Sequence, residues 1–143
     1  MQARRGELID ALGEAGALAE VEGSTVGLVA GRLEAAGGEA EITILAVEEG
    51  ARGRGIGRAL LDTAVEALRA AGVRRAWLVT TNDNLTALRL YQRAGWRLAA
   101  LRPGAVDEAR RTLKPSIPAL GDDGIPIRDE LELELVLEPP LPA

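Results

Sequence analysis

An α+β fold on one mixed, mostly antiparallel sheet is predicted by three observations. A run of strand-like segments is joined by glycine turns, two later units each place a strand, a loop and an amphipathic helix in series, and one segment near the end alternates strictly. The run is "ALAEVEGSTVGLVAGRLEAAGGEAEITILAV", residues 17–47, with turn signals at Glu22-Gly23-Ser24 and Ala36-Gly37-Gly38, and it reads as an antiparallel meander of three strands. Ahead of it, Leu8, Ile9, Ala11 and Leu12 have the spacing of a short amphipathic helix over Glu7–Glu14, ended by Gly13 or Gly16.

From Ile56, apolar residues recur at Ala59, Leu60, Ala64, Val65 and Leu68 until Gly72, which predicts a helix. "RRAWLVT" is a short buried type of strand, and "NLTALRLYQRAG" is a second amphipathic helix closed by Gly95. "WRLAAL" is another strand. In "LELELVL", Leu131, Leu133, Leu135 and Leu137 share one face and Glu132 and Glu134 the other, the pattern of a half-buried strand. The segment Arg102–Asp129 between them holds four of the seven prolines, which predicts a long, partly irregular connection with one helical turn at Ala105–Arg111. The last residues, 139–143, read as a frayed tail.

The chain has 143 residues, of which 47% are apolar, enough for one core, so residues 1–143 are expected to form a single domain. No apolar run approaches the roughly 18 residues of a membrane span, and "MQARRGELIDALGEAG" carries no secretory signal, so a cytoplasmic protein is expected. There is no cysteine and no histidine. Thiolate chemistry, disulfides and the usual zinc ligands are thereby excluded, no metal is expected, and proton transfer falls to carboxylates, tyrosine, lysine or water. A net charge of −5 gives nucleic-acid binding no support.

The stretch "ARGRGIGRALLD", Ala51–Asp62, sets Gly53, Gly55 and Gly57 among Arg52, Arg54 and Arg58 immediately before the helical pattern. A dinucleotide fingerprint would need glycine at position 58 or 60, where Arg58 and Leu60 stand; a Walker loop would need lysine and then Ser or Thr after Gly57. Two readings remain. The elbow is a solvated turn, or its backbone N–H groups and the helix start behind them cradle an anion.

"RGRGIG", Arg52–Gly57, resembles the [Q/R]-x-x-G-x-[G/A] signature of the GNAT superfamily of N-acetyltransferases. "NLTALRLYQRAGW" resembles that family's later motif N-x-x-A-x-x-x-Y-x-x-x-G-[F/W], filled by Asn84, Ala87, Tyr91, Gly95 and Trp96. The resemblance runs from about Val21 to Val136 and implies transfer of an acetyl group from acetyl-CoA, the cosubstrate, to a primary amine of a small molecule or protein. It implies a central sheet with a splayed strand pair and flanking helices. Main chain from Arg52 through Gly53, Arg54, Gly55, Ile56 and Gly57 to Arg58 would meet the pyrophosphate, with Leu45, Ala46 and Val47 along the pantetheine arm. Asn84 would cap its helix, hold the pantetheine amide, or do both. Tyr91 would protonate the leaving sulfur, against core packing as its other role. A main-chain N–H near Val47 would hold the oxyanion.

For the base, Glu39, Glu48, Glu49 and Glu41 stand near the expected centre. Glu41 is preferred because it lies six residues before Val47 and would share that residue's face on a strand of period two; a water chain, and a structural pairing of Glu41 with Arg32, are the rivals. Asp107, Glu108, Asp122, Asp123 and Asp129 border the irregular segment and would either attract a cationic amine or be solvated. The family's opening strand and first helix find no counterpart before the meander, which leads to the expectation of an N-terminally abbreviated domain and of a homodimer that covers the exposed edge. An acyl-CoA-binding regulatory or structural protein with weak catalysis is the alternative function.

Overall fold

The computed structural model describes residues 2–3, 9–11, 14–21, 24–34, 38–113 and 115–137. The chain divides into two compact units, Met1–Trp77 with Val136–Ala143, and Leu78–Leu135. Among the described residues the architecture is α+β, with mostly antiparallel strands and three α-helices.

In the first unit the strands are β1 (Gln2–Ala3), β2 (Ile9–Ala11), β3 (Glu14–Val21), β4 (Ser24–Leu33), β5 (Glu39–Val47) and the start of β6 (Arg75–Thr81), with the helix α1 (Ile56–Ala70). β3, β4 and β5 form the expected antiparallel meander, with β1 and β2 both paired to β3. The helix expected over Glu7–Glu14 is not formed where the chain is described: Ile9–Ala11 pairs with Glu14–Gly16 as adjoining strands. An eight-residue helix is marginal without packing, whereas a strand beside the meander satisfies its backbone by pairing.

The register of β4 on β5 carries one irregularity. Ala30 faces Ile44 but Gly31 faces Ile42, so Thr43 is an extra residue and Ile42 and Ile44 lie on opposite faces of the sheet. Directly paired residues share a face. One face therefore holds Gly27, Val29, Ala40, Ile42, Leu45 and Val47, and this is the face on which α1 packs: a Cβ at Gly27 would meet Leu60 and Ile56. Val29, Ala40, Ile42, Ile56, Leu60, Leu61 and Ala64 form the core there. β6 joins β5 in parallel over Glu39–Glu41 and Arg75–Trp77, where the ladder stops, while β5 itself runs on to Val47.

In the second unit β6 ends at Thr81, α2 (Leu85–Arg93) follows, and β7 (Arg97–Arg102) pairs antiparallel with β8 (Glu130–Val136). Leu78, Tyr91, Trp96, Val106 and Leu133 are its buried apolar side chains. The proline-rich connection contains α3 (Ala105–Thr112), a helix of eight residues where one turn at Ala105–Arg111 is expected from the sequence, and a short hairpin closed by an isolated bridge between Leu120 and Pro126. Among the described residues no helix is long and apolar enough to cross a membrane.

Candidate acetyl-CoA site

The glycine elbow lies in the first unit, between β5 and α1. A 3-10 turn at Glu49–Ala51 buries Ala51 and delivers the chain to Arg52, whose Nε donates to the Val47 carbonyl at 3.3 Å and ties the elbow to the strand end. Gly53 and Gly55 then take φ of 81° and 77°, a region that strains any residue with a Cβ, and neither has a protein atom within 4 Å of where a Cβ would stand. Gly55 is the N-cap of α1, with no side-chain cap and no acidic residue in the first turn. The first N–H groups of α1 therefore have no side-chain cap, and the positive end of its dipole stands at this elbow. Ile56, 1% exposed, anchors the elbow to the core.

The three arginines differ. Arg58 is paired with Asp62 at 3.0 Å along the helix, Arg52 with a carbonyl, and Arg54 makes no ion pair among the described residues. Leu45, Ala46 and Val47 face Val29, Leu28 and Gly27 across the β4–β5 ladder. Glu41 departs from its expected place. It pairs with Arg32, and the extra residue at Thr43 puts it on the face opposite Val47, so the shared face that favoured it as a base is absent. Of the other carboxylates weighed for that role, Glu39 is bridged to Arg75 at 2.7 Å, and Glu48 and Glu49 are exposed.

The second unit holds Asn84 and Tyr91. Asn84 is the N-cap of α2: its Oδ1 accepts from the Ala87 N–H at 3.2 Å, and its Nδ2 donates to Thr80 Oγ1 at 3.3 Å. Asn84→Ala is expected to cost about 1 kcal/mol in denaturant melts, and Asn84→Asp, which keeps the accepting oxygen, little. If the Asn84 amide also serves the pantetheine, Asn84→Asp lowers CoA affinity in titration calorimetry despite its intact stability. Tyr91 is buried and packs on Trp96 with ring centroids 6.1 Å apart. Burial pushes the Tyr91 pKa up, which keeps its phenol protonated, and no hydrogen bond holds that phenol among the described residues.

Of the acids bordering the irregular segment, Asp107 is paired with Arg110 and Asp129 accepts from the Gly104 N–H, while Asp122 and Asp123 are exposed on the hairpin tip. The sequence reading passed over Asn82, Asp83 and Arg110. Asn82 and Arg110 hold the proline-rich segment: Asn82 bonds Pro126, Arg128 and Asp129, and Arg110 bonds the carbonyls of Ile117, Pro118 and Ile127. The signal that could have found Asn82 and Asp83 is the run "TNDN", three amide or acid side chains between a strand and a helix, where such residues bond local backbone; nothing in the sequence marks Arg110.

The family model described as "Acetyltransferase (GNAT) family" matches residues 3–96, well over half of the chain. The chain belongs to the GNAT acetyltransferase family. This GNAT chain is 48% identical over 90 residues to the Bacillus subtilis protein YxbD, covering 63% of the chain and 56% of that protein, and 42% identical over 95 residues to Bacillus subtilis YdhI, covering 66% and 59%. It is 46% identical over 61 residues to the mycothiol acetyltransferase of Beutenbergia cavernae, covering 43% of the chain and 20% of that enzyme. It thus spans somewhat over half the length of the first two. Among solved structures, an IAA acetyltransferase from Bacillus cereus superposes with a TM-score of 0.77 at 26% identity over 87% of this chain and 79% of that one. A Bacillus subtilis acetyltransferase in complex with CoA gives 0.77 at 23% identity, over 90% and 80%, and shows the fold.

Proposed function

We propose that this GNAT chain is an N-acetyltransferase that moves an acetyl group from acetyl-CoA to a primary amine by direct attack. The observation that carries the reading is the elbow. Two positive-φ glycines with open space where a Cβ would stand, and a helix start without a side-chain cap, lie next to Arg54 in the chain, a combination that fits a pyrophosphate. Solved GNAT structures holding CoA or acetyl-CoA support the same donor.

In this reading Arg52–Arg58 binds the pyrophosphate, and Leu45, Ala46 and Val47 line the pantetheine arm. The neutral amine attacks the thioester carbonyl and a C–N bond forms. A main-chain N–H near Val47 stabilises the oxyanion. As the C–S bond breaks, Tyr91 gives its proton to the sulfur, a step open to a phenol, which is protonated at neutral pH. The ammonium proton passes to water, since Glu41 faces away from Val47 and opposite Arg32, and solvent returns a proton to the Tyr91 phenolate.

The test is thiol release from acetyl-CoA across a panel of primary amines. Release that depends on the amine, with the acetylated product seen by mass spectrometry, is expected. CoA binding with no turnover on any amine would overturn the enzyme and leave the acyl-CoA-binding protein.

A further inference from the structure

We propose that Asp83 is a positioning residue: it staples the end of β6 to the proline-rich hairpin and so fixes the start of α2 and, through that helix, Tyr91. Asp83 is 6% exposed and is the one charged side chain buried among the described residues. A buried carboxylate is costly unless its oxygens are satisfied. Here Oδ1 accepts from the Thr81 hydroxyl at 2.5 Å and Oδ2 from the Asp122 N–H at 3.2 Å, so one side chain joins the last residue of β6 to the hairpin tip.

The fit around it is close. A Cβ at Gly121 would overlap the Asp83 carboxylate and press on Ile127 Cγ1, so the hairpin backbone lies directly on Asp83 and only glycine can stand there. The hairpin is a built support: Gly121 N–H bonds the Ile125 carbonyl at 2.8 Å, Ile127 N–H bonds Ala119 at 3.0 Å, and Arg110 and Asn82 hold its base. The main chain of Asp83 meanwhile leads into α2, its carbonyl accepting from the Leu85 N–H at 2.9 Å while Asn84 N–H bonds Thr81 at 3.1 Å.

A nine-residue helix is marginal alone, so the placement of α2 depends on its ends. Trp96 N–H on the Tyr91 carbonyl secures the far end; the Asp83 staple and the Asn84 cap secure the near one. The consequence for catalysis rests on the role proposed for Tyr91, but the placement of its ring does not.

Tyr91 is the only tyrosine, so its ionisation can be followed by ultraviolet absorbance in the whole protein without substrate. In the unmodified chain the midpoint is expected above that of free tyrosine. Asp83→Ala should lower it toward the free value, and Gly121→Ala, which pushes a methyl group onto the carboxylate, should do the same in a variant that keeps every polar partner. Asp83→Asn should keep the original midpoint, because its oxygen can accept from Asp122 N–H and its amide can donate to the Thr81 oxygen. Thr112→Ala, which removes only an exposed hydroxyl's bond to the Glu108 carbonyl within α3, should also keep it. Three results would overturn the proposal: an unmoved midpoint in both Asp83→Ala and Gly121→Ala, a fall in Asp83→Asn, or an equal fall in Thr112→Ala. Because no amine or acetyl-CoA is present, each result stands whether or not the chain acetylates anything.

Discussion

Replacing Tyr91 by phenylalanine is expected to lower the rate of acetyl transfer about 100- to 10,000-fold, the usual span for losing a positioned proton donor. CoA affinity should stay within about twofold, because the change removes one oxygen and leaves the ring against Trp96. Rapid-quench turnover and calorimetric CoA titration separate the two. A variant with normal turnover would move the acid role to water and return Tyr91 to core packing. The same variant should alter the alkaline limb of stability. Burial raises the folded pKa above the unfolded value of about 10, so as pH rises the unfolded chain loses the phenol proton first. The contribution of the neutral phenol is fully present below about pH 10 and is lost as pH rises through the folded value. Tyr91→Phe has no proton to lose, so its denaturant midpoint should fall less steeply above pH 10.

The parts of the fold legible in the sequence are those in which one residue type signals both a backbone state and an element boundary. Gly38 stands just before β5, Gly72 and Gly95 closed α1 and α2, and the leucine alternation marked β8. Two features escaped for identifiable reasons. Ile9–Ala11 has a spacing that suits a helix turn or a strand, and only the pairing available in β3 decides between them. The extra residue at Thr43 leaves no local signature, because Ile42-Thr43-Ile44 is an ordinary β-branched run, yet it reverses the face of everything before it. That reversal took Glu41 away from Val47. A period-two argument holds only while the register does. The elbow was legible as a turn for the opposite reason: three glycines within five residues before a helical pattern signal a positive-φ entry to a helix, and Gly53 and Gly55 take it. The hairpin held by Asp83 is long-range, a contact across 39 positions, and a proline-rich stretch read alone gives no partner for it.

Gly55→Ala should abolish the protection that CoA gives against thermal unfolding, and Gly104→Ala should not. The two glycines are matched. Each is the left-handed N-cap of a helix, Gly55 at φ 77° before α1 and Gly104 at φ 73° before α3, and neither has a protein atom within 4 Å of an added Cβ. Alanine at either is expected to cost about 1 kcal/mol or more of stability through the backbone alone. With no protein atom for the methyl group to strike, any further effect must come from what approaches from outside. At the elbow that is the pyrophosphate in the proposed reading, whose oxygens would lie where the new methyl group projects. At a hundredfold excess over Kd, CoA should stabilise the unmodified chain by about 2.7 kcal/mol, and a variant weakened a hundredfold would retain only about 0.4 kcal/mol. The melts are run with and without CoA on both variants, and the difference within each removes the shared strain. Equal protection in the two variants would show that the elbow does not receive the coenzyme, whatever else the chain binds. Loss in Gly55→Ala alone would place the anion against the backbone of that turn, because a charge effect of the arginines is untouched by the substitution.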